Sequence, residues 1–101
     1  MTLSEFRKLK ISKPIVYLVA NYNSEYLKIG RAMHPCDRIR QIQTGNPGPI
    51  DIIDFIESDS FIDIEKELHE KLSMYNVFGE WFENRDEVRE AFHKCKSNAI
   101  N

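Results

Sequence analysis

The chain has 101 residues, of which 42% are hydrophobic and 30% charged, and its formal net charge is −2. These values are typical of one small globular domain and argue against a disordered or membrane-embedded chain. No apolar run approaches the roughly 20 residues that cross a bilayer, and charges interrupt the N-terminal stretch where a secretory leader needs an apolar middle. We therefore expect a cytoplasmic protein. Cys36 and Cys95 lack metal-ligand spacing and are expected to be reduced.

Charge is divided unevenly along the chain. Residues 1–45 contain eight Lys and Arg against three acids, a net charge of +5, whereas residues 46–101 contain six against thirteen, a net charge of −7. Because the local field rather than the total charge steers a polyanion, this division permits an anionic partner on one face. The ordinary interpretation is a set of solvated surface charges.

Three segments have the apolar, β-branched composition of strands: residues 14–21, 26–30 and 50–57. The first two are joined by YNSE, which has turn chemistry, so we expect a hairpin. Residues 77–82, VFGEWF, are short and aromatic and are expected to form a last strand or an ordered turn.

The remaining segments have helical patterns. A short basic helix is predicted at residues 3–10, and a second helix should begin at Pro35 and end before TGNPGP. A third is predicted over residues 58–75, with Ser58 or Ser60 as its cap. The last should begin at Asn84, which has a capping-box spacing to Glu87. The order of elements predicts an α+β domain with helices packed on a small sheet.

The helix predicted over 58–75 has an acid among its apolar positions. With residues placed about 100° apart, Glu65 falls in the middle of the apolar arc, and His69 lies on the same side one turn later. A carboxylate facing a core needs a cation, a metal or a water-filled cleft. The ordinary interpretation is an ion pair for Glu65 and a hydrogen-bonded histidine for His69. The arc consists of Phe61, Ile62, Ile64, Leu68 and Leu72.

Polar groups also interrupt the hairpin and the helix after it. Arg38 lies at the border of the inner face of that helix and should point along the surface towards the hairpin, whereas Arg40 should be solvated. Tyr17 and Lys28 each alternate with apolar neighbours on a predicted strand. Taken singly, Tyr17 is best explained as a core phenol with its hydroxyl at the edge, and Lys28 as an edge-strand charge.

Together these residues resemble the motifs of the GIY-YIG nuclease superfamily. IVY at 15–17 is followed, eleven residues after Tyr17, by KIG at 28–30. An Arg eight residues after the Gly matches Arg38, and an acid inside IEKELHEKL matches Glu65. The likeness is greatest to a phage and fungal branch with KIG in place of YIG and with QTGNP-like, EKELH and GEWF segments.

The resemblance implies a central antiparallel sheet of about three strands flanked by helices. The resemblance covers about residues 14–92, and we expect a single domain at residues 14–96, after a basic segment at 1–13 and before a tail at 97–101. A phage origin would place the protein in the host cytoplasm. Two departures matter: IVY keeps the phenol of GIY but loses its glycine, and KIG replaces the second phenol by an amine. Tyr26 is a poorer candidate for that second phenol.

The chemistry implied is hydrolysis of a nucleic acid, with DNA the expected substrate. Tyr17 would be the general base, directly or through a water, with Lys28 favouring its phenolate. Glu65 would hold one Mg²⁺ or Mn²⁺ ion, bound weakly without substrate. Tyr26 and His69 would support these groups.

A phosphate-binding rim would surround this chemistry. Arg38 and Arg31 would bind phosphate oxygens, because the planar guanidinium bonds two of them at once. Lys10 and Lys13 would extend the rim along the backbone in a salt-sensitive way.

Two other hypotheses remain open. A nuclease-like module that does not cleave would bind nucleic acid, or a protein partner through the acidic C-terminal half. Alternatively, a small interaction protein would dock through exposed GEWF aromatics, although Trp81 and Phe82 would more often close the core.

Overall fold

The structure is a computed structural model that describes residues 1–100, with the side chains of residues 1–99. It confirms the α+β class and the antiparallel sheet. The helices are α1 (Leu3–Lys8), α2 (Pro35–Thr44), α3 (Phe61–Lys71) and α4 (Asp86–Ile100), with a 3₁₀ turn at Ser73–Tyr75. The strands are β1 (Ile15–Ala20), β2 (Tyr26–Ala32), β3 (Asp51–Glu57), β4 (Asn76–Phe78) and β5 (Trp81–Glu83).

The sheet has five strands in the order β3-β1-β2-β5-β4, and every neighbouring pair is antiparallel. The three predicted strands are the three long ones. The segment expected as one strand or a turn at 77–82 instead folds back on itself as the β4–β5 hairpin. Gly79 makes this reversal possible, because its φ of +54° is costly for residues with a side chain.

Hydrophobic side chains cover both faces of the sheet. All six residues of β1 are buried, because this central strand is covered on one side by α1 and α2 and on the other by α3 and α4. Alternate residues therefore enter different cores: Tyr17 faces α2, whereas Leu18 faces α3 and α4. The face of the sheet on which a strand residue lies therefore determines which helices its side chain can contact.

Two predicted helix starts are wrong. The third helix begins at Phe61 rather than at Ser58; Ser60, one of the two predicted caps, occupies the N-cap position, but its side chain makes no capping hydrogen bond. The Ser58 hydroxyl accepts from the Ser60 N–H at 3.0 Å. The last helix begins at Asp86 rather than at Asn84. The Asn84 amide donates to the Ser24 carbonyl at 2.6 Å, so it ties the helix to the first hairpin rather than capping it.

The ends of the chain join the fold. A capping box between Thr2 and Glu5 begins α1, and Phe6 on this helix is fully buried, with its ring edge-on to Phe55 at 5.4 Å. At the other end, α4 continues through residues 97–100, and Asn101 lies outside the described residues. In the described part of the chain, no helix combines the length and the apolar character that crossing a bilayer demands.

Candidate active site

The candidate site lies at the edge of β2, where β5 stops pairing with it. The ladder between the two strands joins only Tyr26–Lys28 to Trp81–Glu83. The next amide, Ile29 N–H, donates to the Glu80 carbonyl in the β4–β5 turn at 3.0 Å. Beyond this bond the edge is open, and side chains from both faces of the sheet reach it.

The first group, which we call the Tyr17 cluster, consists of Tyr17, Lys28, Arg38 and Glu80. The β1–β2 register places Tyr17 opposite Gly30 and Val19 opposite Lys28, so Tyr17 and Lys28 share the face that α2 covers. The apolar side of α2 packs on that face and brings Arg38 over it. The sequence prediction that Arg38 points towards the hairpin is confirmed.

One carboxylate oxygen joins the cluster. The Tyr17 hydroxyl donates to Glu80 Oε1 at 3.0 Å, and Arg38 Nε donates to the Tyr17 oxygen at 3.3 Å. Lys28 Nζ and Arg38 Nη2 lie 3.5 and 3.6 Å from the same Glu80 oxygen. Groups from β1, β2 and α2 thus converge on an atom of the β4–β5 turn.

Gly30 provides the space in which Tyr17 and Glu80 meet. A Cβ on this residue would lie 2.2 Å from the Tyr17 hydroxyl oxygen and 2.5 Å from Glu80 Oε1. Real Cβ atoms do not approach other atoms so closely, and the buried Tyr17 ring has no room to retreat. The glycine of KIG is therefore required by the contact rather than by backbone freedom.

The electrostatics of the cluster differ from the sequence expectation. Burial raises the pKa of Tyr17 above its ordinary value, and the Glu80 charge raises it further, while Arg38 lowers it by a smaller amount. Lys28 was expected to favour the phenolate, but its ion pair is with Glu80. Without substrate, Tyr17 is consequently a neutral phenol at neutral pH.

A second group, Glu65 with Arg31 and His69, reaches the same edge from the other face. Arg31 is opposite Val16 and therefore faces α3; its Nη1 lies 3.9 Å from Glu65 Oε2. His69 Nε2 lies 3.9 Å from Glu65 Oε1 and 2.8 Å from the Ile29 carbonyl, to which it donates. Both ordinary interpretations, an ion pair and a hydrogen-bonded histidine, therefore hold.

The inward position of Glu65 is confirmed, since only 13% of its side chain is exposed. The apolar arc was drawn too wide, because Ile62 is 49% exposed. Burial raises the pKa of Glu65, the His69 and Arg31 charges lower it, and the Glu80 charge raises it. Glu80 thus acts electrostatically on both groups at the edge.

The donors present suit a hard cation better than zinc. Arg31 and His69 are too far from Glu65 for hydrogen bonds, so its oxygens keep lone pairs for a ligand. Among the described residues, no three His, Cys, Asp or Glu side chains group as metal ligands, as a structural zinc site would require. Mg²⁺, in contrast, commonly takes one or two carboxylates and completes its shell with water and substrate phosphate.

Three predicted residues lie away from these groups. Lys10 and Lys13 are exposed in the α1–β1 connection. In the described part of the chain, neither makes an ion pair or hydrogen bond with the Tyr17 cluster. Tyr26 shares the face of Lys28, as predicted, but it lines an adjoining cleft beside Trp81.

Sequence reasoning missed Glu80, although GEWF was among the motifs. Glu80 lies in a turn, where neither helical nor strand periodicity applies, and it is 63 residues from its partner Tyr17. The available signal was compositional: Glu80 is the one acid between the aromatic residues Phe78 and Trp81.

The fold and the edge site define a small α+β protein with a cluster of two cations, a phenol and a carboxylate on one face of the sheet, and a second, partly buried carboxylate on the other face. A sequence model of the T5orf172 domain matches residues 14–96, most of the chain. The chain belongs to the T5orf172 domain family, and this membership indicates a nuclease-like function related to nucleic acid. Comparisons with curated proteins and with solved structures gave no match.

Proposed function

We propose that this protein is a metal-dependent endonuclease of the GIY-YIG type, with DNA as the expected substrate. The convergence of Tyr17, Lys28 and Arg38 on one anionic oxygen within 3.0–3.6 Å carries the proposal. Such an arrangement at a sheet edge, where the side chains of Arg38 and Glu80 are 38% and 32% exposed, suits a phosphodiester. The β1–β2 pairing of Tyr17 with Gly30 supports the assignment to the GIY-YIG type, because it places the IVY and KIG motifs side by side on neighbouring strands.

The neutral state of Tyr17 calls for a proton relay. An attacking water gives a proton to the Tyr17 oxygen while the Tyr17 proton passes to Glu80 Oε1, along the existing 3.0 Å hydrogen bond. The water oxygen bonds to phosphorus as the bond to the leaving oxygen breaks, and that oxygen takes a proton from solvent. Glu80 is thereby the final proton acceptor, so no Tyr17 phenolate has to form before the water attacks.

Arginine and lysine bind the phosphate in this scheme. Arg38 has five N–H donors, of which one bonds Tyr17 and another bonds Gln41 Oε1 at 3.5 Å, so three remain for phosphate oxygens. The side chain of Arg38 is 38% exposed. Lys28 adds a point charge beside it. Arg31 approaches from the other face of the sheet, 47% exposed.

Glu65 would hold the divalent ion, Mg²⁺ or Mn²⁺. When bound, the ion would offset the negative charge that develops on the leaving oxygen. A single carboxylate binds such an ion weakly, so we expect it to need the substrate phosphate as a further ligand.

A nuclease-fold module that binds without cutting is the second candidate. The raised pKa of Tyr17 favours it, since a phenol held neutral is a poor base unless the relay operates. Such a module would use Lys28 and Arg38 for binding, so Tyr17→Phe would leave its effect unchanged. A protein partner for the acidic C-terminal half belongs with this candidate.

Cleavage by matched variants tests the proposal. Purified protein is incubated with plasmid, duplex, single-stranded DNA and RNA in Mg²⁺, Mn²⁺ or EDTA. We expect metal-dependent products that Tyr17→Phe reduces about 100-fold or more, the usual contribution of general acid–base catalysis. Glu65→Gln should reduce them similarly.

The control is Glu67→Gln on the same helix, since Glu67 is 56% exposed and pairs with Lys71 on the surface. It should cleave like the wild type. Equal products from the wild type and from Tyr17→Phe, or products in EDTA, would refute the mechanism.

A further inference from the structure

We propose that an aromatic cleft beside the Tyr17 cluster binds an unpaired nucleobase, so that the substrate is single-stranded at the bound position. The inference deepens the proposed function and rests on it for the neighbouring phosphate site. It adds a substrate class that the cleavage chemistry alone does not specify.

The cleft is apolar and exposed. Its volume is about 290 Å³, close to the roughly 300 Å³ at which the range of small-molecule sites begins. Phe78 is 78% exposed, Tyr26 is 38% exposed, and Val77 beside them is 51% exposed. Large apolar side chains gathered on a surface indicate a binding site. The walls are formed by Asn21, Tyr26, Asn46, Val77, Phe78 and Trp81.

The cleft adjoins the phosphate-binding cations. Trp81 and Asn46 also line a second cavity, of about 240 Å³, whose wall contains Lys28 and Arg38. Lys28 Nζ lies 4.9 Å from the centroid of the Trp81 ring, so the same ammonium contacts the aromatic wall and the Tyr17 cluster. A phosphate on the cations would therefore place its own or the next base at the aromatic wall.

Charge and hydrogen bonding favour a base over an apolar peptide. Lys28 and Arg38 line the adjoining cavity, and their two positive charges exceed the single negative charge of Glu80 with which both pair, so the excess charge attracts a polyanion. Asn46 uses its Nδ2 on the Ile42 carbonyl, which leaves its Oδ1 as an acceptor. Asn21 uses its Oδ1 on the Tyr26 N–H, which leaves its Nδ2 as a donor. One donor and one acceptor at an aromatic wall suit the edge of a stacked base.

A duplex cannot fill this cleft without deformation. In a double helix the bases are stacked inside, and only backbone phosphates would reach Lys28 and Arg38. Single strands, flaps and extruded nucleotides expose a base that can stack on an aromatic side chain. The cleft therefore selects for unpaired nucleotides.

Binding without metal separates this inference from the proposed hydrolysis. Fluorescence anisotropy in EDTA gives the Kd of a labelled thymidine single strand, of the matching duplex, and of a strand with abasic positions. We expect the wild type to bind the single strand more tightly than the other two. Phe78→Ala should weaken single-strand binding about tenfold, the usual loss of one stacked base, and leave duplex and abasic binding unchanged.

The control is Ile62→Ala, because Ile62 is also an exposed apolar side chain but lies on α3. It should bind all three probes like the wild type. Phe78 is largely exposed, so its truncation should leave the thermal midpoint unchanged, and Tyr26→Phe, which keeps the ring, should retain binding.

Equal Kd values for the wild type and Phe78→Ala on the single strand would overturn the inference, as would tighter duplex binding. Self-association of the wild type that Phe78→Ala abolishes, with unchanged single-strand binding, would also overturn it by assigning the cleft to a protein contact. Each of these outcomes would leave Tyr17-dependent cleavage, and so the proposed function, intact. Single-strand binding that depends on Phe78 but is not accompanied by cleavage would refute only the proposed hydrolysis.

Discussion

Gly30 shows how one missing side chain shapes the candidate site. We expect Gly30→Ala to destabilise the fold by about 1–3 kcal/mol, the usual cost of overpacking, and to abolish cleavage by separating Tyr17 from Glu80. Urea unfolding measures the first effect. Gly45→Ala is the control, since its Cβ would meet atoms no nearer than 3.7 Å. Equal stability of Gly30→Ala and the wild type would contradict the tight contact.

Tyr17 should make stability depend on alkaline pH. Its pKa is higher in the folded protein than the ordinary value of 10.0. Its neutral form therefore stabilises the fold fully below pH 10, and this contribution is lost as pH rises through 10 towards the folded pKa. We expect the wild type to lose up to about 1.4 kcal/mol per pH unit relative to Tyr17→Phe above about pH 10.

Glu80→Gln tests the cause of that shift. Removing the Glu80 charge should lower the pKa of Tyr17, so the alkaline loss of stability should be smaller in this variant. Urea unfolding between about pH 9 and about pH 11 compares the three proteins. Parallel stability curves for the wild type and Tyr17→Phe would show that the phenol has no raised pKa.

The residues predicted from sequence were those on periodic elements. Helical phase marked Glu65 and Arg38 as polar residues at an apolar face, and the resemblance of the motifs assigned them to a site. Strand alternation placed Tyr26 on the face of Lys28. Glu80 was not predicted as a site residue, because it lies in a turn and its contact with Tyr17 depends on tertiary packing. The raised pKa of Tyr17 was not predicted for the same reason, since it depends on burial and on Glu80.

At the scale of elements, the β4–β5 hairpin positions the turn that contains Glu80. Asn76 Nδ2 donates to the Gly79 carbonyl at 2.8 Å and to the Trp81 carbonyl at 3.1 Å, across the turn that contains Glu80. We expect Asn76→Ala to loosen this turn, and hence the bond from Ile29 N–H to the Glu80 carbonyl. Each lost hydrogen bond is worth about 1 kcal/mol, so the Ile29 amide should exchange several-fold faster.

Hydrogen exchange with residue resolution checks this, and Asn23→Ala in the β1–β2 turn is the control. Unchanged exchange at Ile29 in Asn76→Ala would show that the hairpin is held by other contacts.

The β4–β5 hairpin was only half predicted from the sequence. VFGEWF has the composition of one strand, and the reversal at Gly79 became evident only from its backbone conformation.

At the scale of the whole molecule, α1 completes the core beneath α2, although it precedes the matched family region. Phe6 is fully buried, so Phe6→Ala should cost about 3–5 kcal/mol of unfolding free energy. Leu9→Ala is the matched control, because Leu9 is 49% exposed, and its cost should be below about 1 kcal/mol. Similar urea midpoints for Phe6→Ala and the wild type would show that α1 is dispensable.

Arg38 offers the most direct test of the central claim, that the Tyr17 cluster binds and cleaves a phosphodiester. Its neighbour Arg40 lies on the same helix but is 61% exposed and pairs with Asp37, as predicted for a solvated residue. The measurement is the single-turnover rate of cleavage for Arg38→Ala and Arg40→Ala with saturating protein and Mg²⁺ or Mn²⁺. We predict a loss of about 100-fold or more for Arg38→Ala and a wild-type rate for Arg40→Ala. Equal rates for the two variants would contradict the claim.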